Sequence, residues 1–354
     1  MSLTVRAGER VGERDAPPGR RPARTVAWAA GLLLASGLPA EAATALSPAA
    51  SIAAGLATTG ALLLLWRTAA AVRGWAPARG ALLVFAAISV FGWASALVTA
   101  IPAVEHRLAT APVAVAFLVV NGLKVLSVVP AALVARRYGW GAADLDLRPG
   151  DPYAPAGPRV RGHGLRWPVA GPAVIVVTLV LFATGVPADA VVRALPWLPV
   201  IALGALVNAS AEEFLYRHVA IGALRGTMGA TPAMFLTSGL FGLAHVTGNP
   251  GGLTGVLYTA GFGLVCAHAM LRTRGFAWNL PIHFSGDVGV CLTLVALARR
   301  PRRNLGGRFS DGLRSRPRAR GGARRPARSG RVRPPSACAG AGPRCAATTP
   351  GPCP

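Results

Sequence analysis

Residues 194–224 read ALPWLPVIALGALVNASAEEFLYRHVAIGAL. As a helix this stretch exceeds the roughly 20 residues needed to cross a hydrocarbon layer about 30 Å thick. Backbone polar groups in lipid must be satisfied within the segment, so the stretch reads as a transmembrane helix. It nonetheless carries Glu212, Glu213, Arg217 and His218 in its second half. Ionisable side chains inside a span are costly and call for a functional reason.

The same apolar pattern recurs along the chain. Candidate spans fall at 26–45, 49–66, 80–104, 111–135, 167–187, 194–224, 231–247, 253–271 and 276–298. Of the 354 residues, 53% are hydrophobic and only 14% charged, against about a quarter charged in a soluble domain. The expected fold is all-α, a polytopic transmembrane helix bundle of about 8–9 spans. The run 26–45 ends in small residues around Ala40 and Ala42 and reads either as a first helix or as a cleaved signal peptide. Residues 26–190 form the N-terminal transmembrane part and residues 191–298 the part that holds the chemistry.

The net charge of +24 does not indicate specific nucleic-acid binding, because it is concentrated. Residues 299–354 hold 15 Arg against the single acid Asp311, which is +14 of the total. That tail and the Arg-rich residues 1–25 lack an apolar pattern and are expected to be disordered. The remaining basic residues lie between spans, at 67–79, 136–166, Arg225, Arg272 and Arg274. The positive-inside rule puts all of these on the cytoplasmic side. A last span at 276–298 then leaves the basic tail on the opposite side, which conflicts with that rule. The cysteines show neither a metal spacing nor a disulfide framework.

Helical spacing sorts the ionisable groups. Glu213 and Arg217 are four apart with the acid first, the favoured order for an ion pair. Glu212 points about 100° away and gains no such partner from Arg217, which leaves it suited to general-base work. Tyr216, one turn on, is placed to hydrogen-bond it. His283 and Asp287 share one face of their helix. Lys124, the only lysine, lies centrally in its span with Asn121 one turn earlier and reads as a structural partner for an acid. His218 and His268 read as hydrogen-bond partners in packing. Measured from the basic span ends, Glu212, His245, His283 and Asp287 all fall at a depth of about 14–21 Å.

Three strings carry a resemblance: EEFLYR (Glu212 to Arg217), FGLAH (Phe241 to His245) and HFSGD (His283 to Asp287). Together they resemble the motifs of the CAAX prenyl protease and bacteriocin-processing (CPBP, or Abi) family of intramembrane proteases. The resemblance covers roughly residues 195–298. It implies peptide-bond hydrolysis within the membrane, with a membrane protein or lipidated peptide as substrate. By motif position, Glu212 activates water, His245 helps hold it, and His283 and Asp287 stabilise the oxyanion. Glu213 and Arg217 brace the site, with Phe241 and Tyr216 in support.

Asp287 stands where members carry Asn or Asp, and an ionised Asp cannot donate to an oxyanion. It is therefore protonated, orients His283, or ligates a metal. His245, His283 and Asp287 would make a three-ligand zinc site with Glu212 as base. A metal-free, glutamate-driven reaction is the favoured expectation. A non-catalytic immunity or scaffold protein and a proton-coupled transporter are the alternatives; no internal repeat supports transport.

Overall fold

The computed structural model describes residues 31–298, apart from 32–34, 45, 73–74, 76, 158–163 and 249–250. The calls on 1–25 and 299–354, and nearly half of the run 26–45, lie outside the described residues. The described part is built of helices, and its only β-type pairing is an isolated bridge between Pro155 and Arg166.

In chain order the helices are α1 (Leu38–Thr44), α2 (Pro48–Thr68), α3 (Ala78–Thr99), α4 (Pro102–Thr110), α5 (Val113–Gly122) and α6 (Val125–Arg137). Then come α7 (Trp167–Ala183), α8 (Ala188–Ala194), α9 (Leu198–Glu212), a π-helical segment (Glu213–Val219), α10 (Ala220–Met228), α11 (Ala230–Leu243), α12 (Gly252–Thr273) and α13 (Asn279–Ala298). Local chemistry sets several ends. Ser47 caps α2, its hydroxyl accepting from the Ala50 amide at 3.0 Å, with Pro48 in the first turn, where its missing N–H costs nothing. Gly229 separates α10 from α11 at φ +84°, a conformation that a side chain resists.

Among the described residues, six helical runs are long and apolar enough to cross a membrane: Pro48–Thr68, Ala78–Thr99, Val113–Arg137, Ala188–Met228, Gly252–Thr273 and Asn279–Ala298. Trp167–Ala183 and Ala230–Leu243 are shorter apolar helices. The protein is a multi-pass membrane helix bundle, with about the span number the apolar runs imply.

Three spans differ internally from their sequence reading. The run 111–135 is interrupted at Leu123 and Lys124, between α5 and α6. The run 194–224 is one helical column, Ala188–Met228, but passes through a 3₁₀ turn at Leu195–Trp197 and the π segment. The run 231–247 stops being helical at Leu243, so His245 lies in the turn beyond α11.

The basic stretches expected on one side do meet at one end of the bundle. Asp146 is fully buried there, 2.9 Å from Arg225, 3.2 Å from Arg274 and 3.9 Å from Arg148. The Asp151 amide donates to the Thr273 carbonyl at 2.7 Å, and Trp66 Nε1 donates to the Tyr138 hydroxyl at 3.1 Å. In the interior, α9 packs on α5 and α13, α3 on α6, and α11 on α12.

Candidate active site

The site forms where α9 passes into the π segment. Asn208 and Glu212 are one turn apart on α9, and Glu213, Tyr216, Arg217 and His218 follow in the wider helix, all buried. π-helical turns are uncommon and concentrate at functional sites. Glu213 is ringed by donors. Its Oε1 lies 2.6 Å from His283 Nδ1 and 3.4 Å from Arg217 Nε, and its Oε2 accepts from Asn279 Nδ2 at 2.7 Å. The Arg217 guanidinium lies 4.1 Å from the centre of the Phe241 ring, a cation–π contact that offsets part of its burial.

Glu212 has a partner that helical spacing alone did not assign. Lys124 Nζ bonds both Glu212 Oε1 and Asn208 Oδ1. Glu212 Oε2 faces His283 Nε2 at 3.1 Å, yet it is buried without a hydrogen-bond partner. An acceptor left open in that way is where a water would bind. Asn208 Nδ2 donates to Asp287 Oδ2 at 2.9 Å, and Asp287 Oδ2 lies 3.8 Å from His283 Nε2.

His283 is therefore the hub. One ring nitrogen meets Glu213, and the other faces Glu212 with Asp287 beyond. Phe262 and Phe241 present their rings to it at 5.5 and 5.7 Å, fixing its plane. The His245 ring lies 4.5 Å from that of Phe241, tilted by 58°, and its Nδ1 donates to the Phe241 carbonyl at 2.7 Å. That bond leaves Nε2 as the free acceptor of the ring.

The structure thus brings Glu212, Glu213, Arg217, Phe241, His245, His283 and Asp287 into one cluster. Tyr216 belongs to its packing. The Tyr216 ring meets Phe241 edge-on at 5.2 Å, and among the described residues its hydroxyl makes no hydrogen bond to Glu212. The π turn displaces residue 216 from the position an α-helix would give it.

Spacing arguments missed Asn208 and Asn279, and gave Lys124 no specific partner. Each asparagine had a visible signal: Asn208 stands four residues before Glu212, and Asn279 four before His283, both in apolar runs. His218 and His268 bond loop carbonyls, Leu145 and Ala156, each at 2.8 Å, and His218 also approaches Asn279 of α13 at 3.4 Å.

As for metal donors, the described groups whose ligand atoms lie within 4.8 Å of one another are Glu213, Cys266 and His283. This set shares only His283 with the one composed of His245, His283 and Asp287.

Neither a curated protein nor a solved structure matches the chain. Residues 194–289, which hold every motif residue above, match the family model described as type II CAAX prenyl endopeptidase Rce1-like, and in this segment the chain is similar to the CAAX-protease family.

Proposed function

We propose that the protein is an intramembrane endopeptidase that hydrolyses a peptide bond of a membrane-associated protein or lipidated peptide, with Glu212 as general base. The observation that carries this reading is the open Oε2 of Glu212, buried and facing His283 Nε2 at 3.1 Å. A water bound to Oε2 gives up a proton to Glu212 as its oxygen adds to the scissile carbonyl carbon. His245 Nε2 accepts the second hydrogen of that water and keeps it aimed. The electron pair of the carbonyl moves to oxygen, and His283 Nε2–H donates to the resulting oxyanion. Glu212 then passes its proton to the amide nitrogen, the C–N bond breaks, and a carboxylic acid and an amine leave. Glu213 accepts from His283 Nδ1 while Nε2 faces the Glu212 carboxylate, so the ring works as an imidazolium with both nitrogens donating.

The reaction in this reading is metal-free. A dication at this cluster would sit beside the Lys124 ammonium on Glu212 and the Arg217 guanidinium on Glu213. Glu213 and His283, two of the three donors that gather closely, already hold each other at 2.6 Å. Both facts argue against a resident zinc ion.

The test compares membrane-fraction proteomes of cells carrying the wild-type chain and Glu212→Gln, at matched expression. The substrate accumulates uncleaved with the variant, because removing a general base costs roughly 10²–10⁴ in rate. Identical proteomes, with the variant normally inserted, would instead favour the scaffold reading.

A further inference from the structure

We propose that Lys124 and Asn208 form the positioning pair of this site, fixing Oε1 of Glu212 so that Oε2 alone is presented to water, and orienting Asp287. The inference rests on the hydrolase reading above. Lys124 lies outside the family-matched segment and comes from a different part of the bundle.

Its placement is built into the fold. α5 ends at Asn121 and Gly122, and the turn at Leu123–Lys124 breaks an otherwise continuous apolar column before α6 begins. Asn121 Nδ2 donates to the Phe117 carbonyl at 2.9 Å, inside its own helix. Lys124 instead reaches α9 and touches two acceptors one turn apart, Asn208 Oδ1 and Glu212 Oε1. Its side chain is only 11% exposed, so these contacts take the place of its lost hydration.

The ammonium also fixes the amide of Asn208. An ammonium can only donate, so it must face Oδ1, and Nδ2 is then directed at Asp287, 2.9 Å away. Asp287 accordingly works as an acceptor, although its motif position would also admit an amide donor. The charges agree with this arrangement. Three carboxylates, Glu212, Glu213 and Asp287, converge on His283, and Arg217 alone would leave the cluster strongly negative. Lys124 supplies the second basic group, paired with Glu212 as Arg217 is with Glu213.

A residue that merely neutralises charge and one that positions the base differ in what they disturb. The experiment uses the full chain in proteoliposomes with a quenched fluorescent farnesylated peptide as probe. Lys124→Met is expected to lower kcat by roughly 10–100-fold, the scale set by misplacing a catalytic group, while KM changes less than about twofold. Lys124→Arg, which keeps the charge and two donors, is expected to recover most of kcat. A readout independent of turnover is labelling of Glu212 by dicyclohexylcarbodiimide, followed by mass spectrometry. Glu212 should label faster in Lys124→Met, because the ammonium no longer holds Oε1. Lys124→Met/Glu212→Gln should melt as the wild type does, which separates loss of the pair from failure to fold. Wild-type kcat in Lys124→Met, or unchanged carbodiimide labelling, would overturn the inference. If the wild-type chain itself fails to cleave the peptide, the hydrolase reading with this probe fails, and the labelling rates still decide whether Lys124 holds Glu212.

Discussion

Arg217 is only 1% exposed, with Nη1 and Nη2 making no hydrogen bond among the described residues and with Glu213 and the Phe241 and Tyr216 rings as compensation. Removing one member of a buried pair leaves the other uncompensated, and Glu213 would keep only Asn279 and His283. Arg217→Met is therefore expected to destabilise the protein by about 3–5 kcal/mol, seen as a lower melting temperature in detergent. Arg217→Met combined with Glu213→Gln should recover much of that loss, since no unpaired charge then remains. The pairing of Glu213 with Arg217 was legible in the sequence because four-residue spacing survives in the π segment at ion-pair distance. The difference between the two adjacent glutamates was legible only in part. Spacing denied Glu212 the Arg217 partner, but no local rule relates Lys124 to a residue 88 positions along the chain.

At the scale of elements, the apolar runs located the spans because a hydrocarbon layer filters for length and polarity alone. The interruptions inside them depend on partners that the runs do not reveal. Asn121–Gly122 marks the α5–α6 break only faintly, and nothing local marks the π segment, where buried donors from α13 meet Glu213. Helix packing beside the site is similarly exacting. A Cβ added at Gly242 would lie 2.6 Å from the Val256 carbonyl oxygen and 2.7 Å from Ala260 Cβ. Gly242→Leu must push α11 from α12, shifting Phe241 and the turn that carries His245. Expected outcomes are a loss of about 1–3 kcal/mol in stability, the usual cost of overpacking, and a larger proportional fall in cleavage rate. A variant that melts earlier but cleaves at the wild-type rate would show that His245 does not depend on that contact.

Across the whole molecule, the charge pattern that sorted loops by side also describes a physical latch. Asp146 adopts φ +54°, a conformation uncommon outside glycine, and meets Arg225, Arg274 and Arg148 from three parts of the chain. Beside it, the Leu145 carbonyl bonds His218, which approaches Asn279 at 3.4 Å, and Asn279 holds Glu213. The loop at the basic end is thus connected to the catalytic cluster through packed polar groups. Asp146→Asn is expected to cost about 2–3 kcal/mol, the scale of hydrogen bonds to charged groups. It should also open the 141–157 loop to proteinase K; wild-type resistance to that protease in the variant would refute the latch.

The central claim is hydrolysis by Glu212 without a metal, and purified protein in proteoliposomes tests it most directly. Cleavage of a farnesylated peptide would be followed for the wild type and Glu212→Gln, with and without 1,10-phenanthroline, alongside the metal content of the same samples. The account predicts wild-type cleavage that is insensitive to the chelator in samples lacking stoichiometric metal, and none above background for a Glu212→Gln variant that melts like the wild type. Stoichiometric zinc whose removal abolishes cleavage, or a Glu212→Gln protein that cleaves at the wild-type rate, would contradict it.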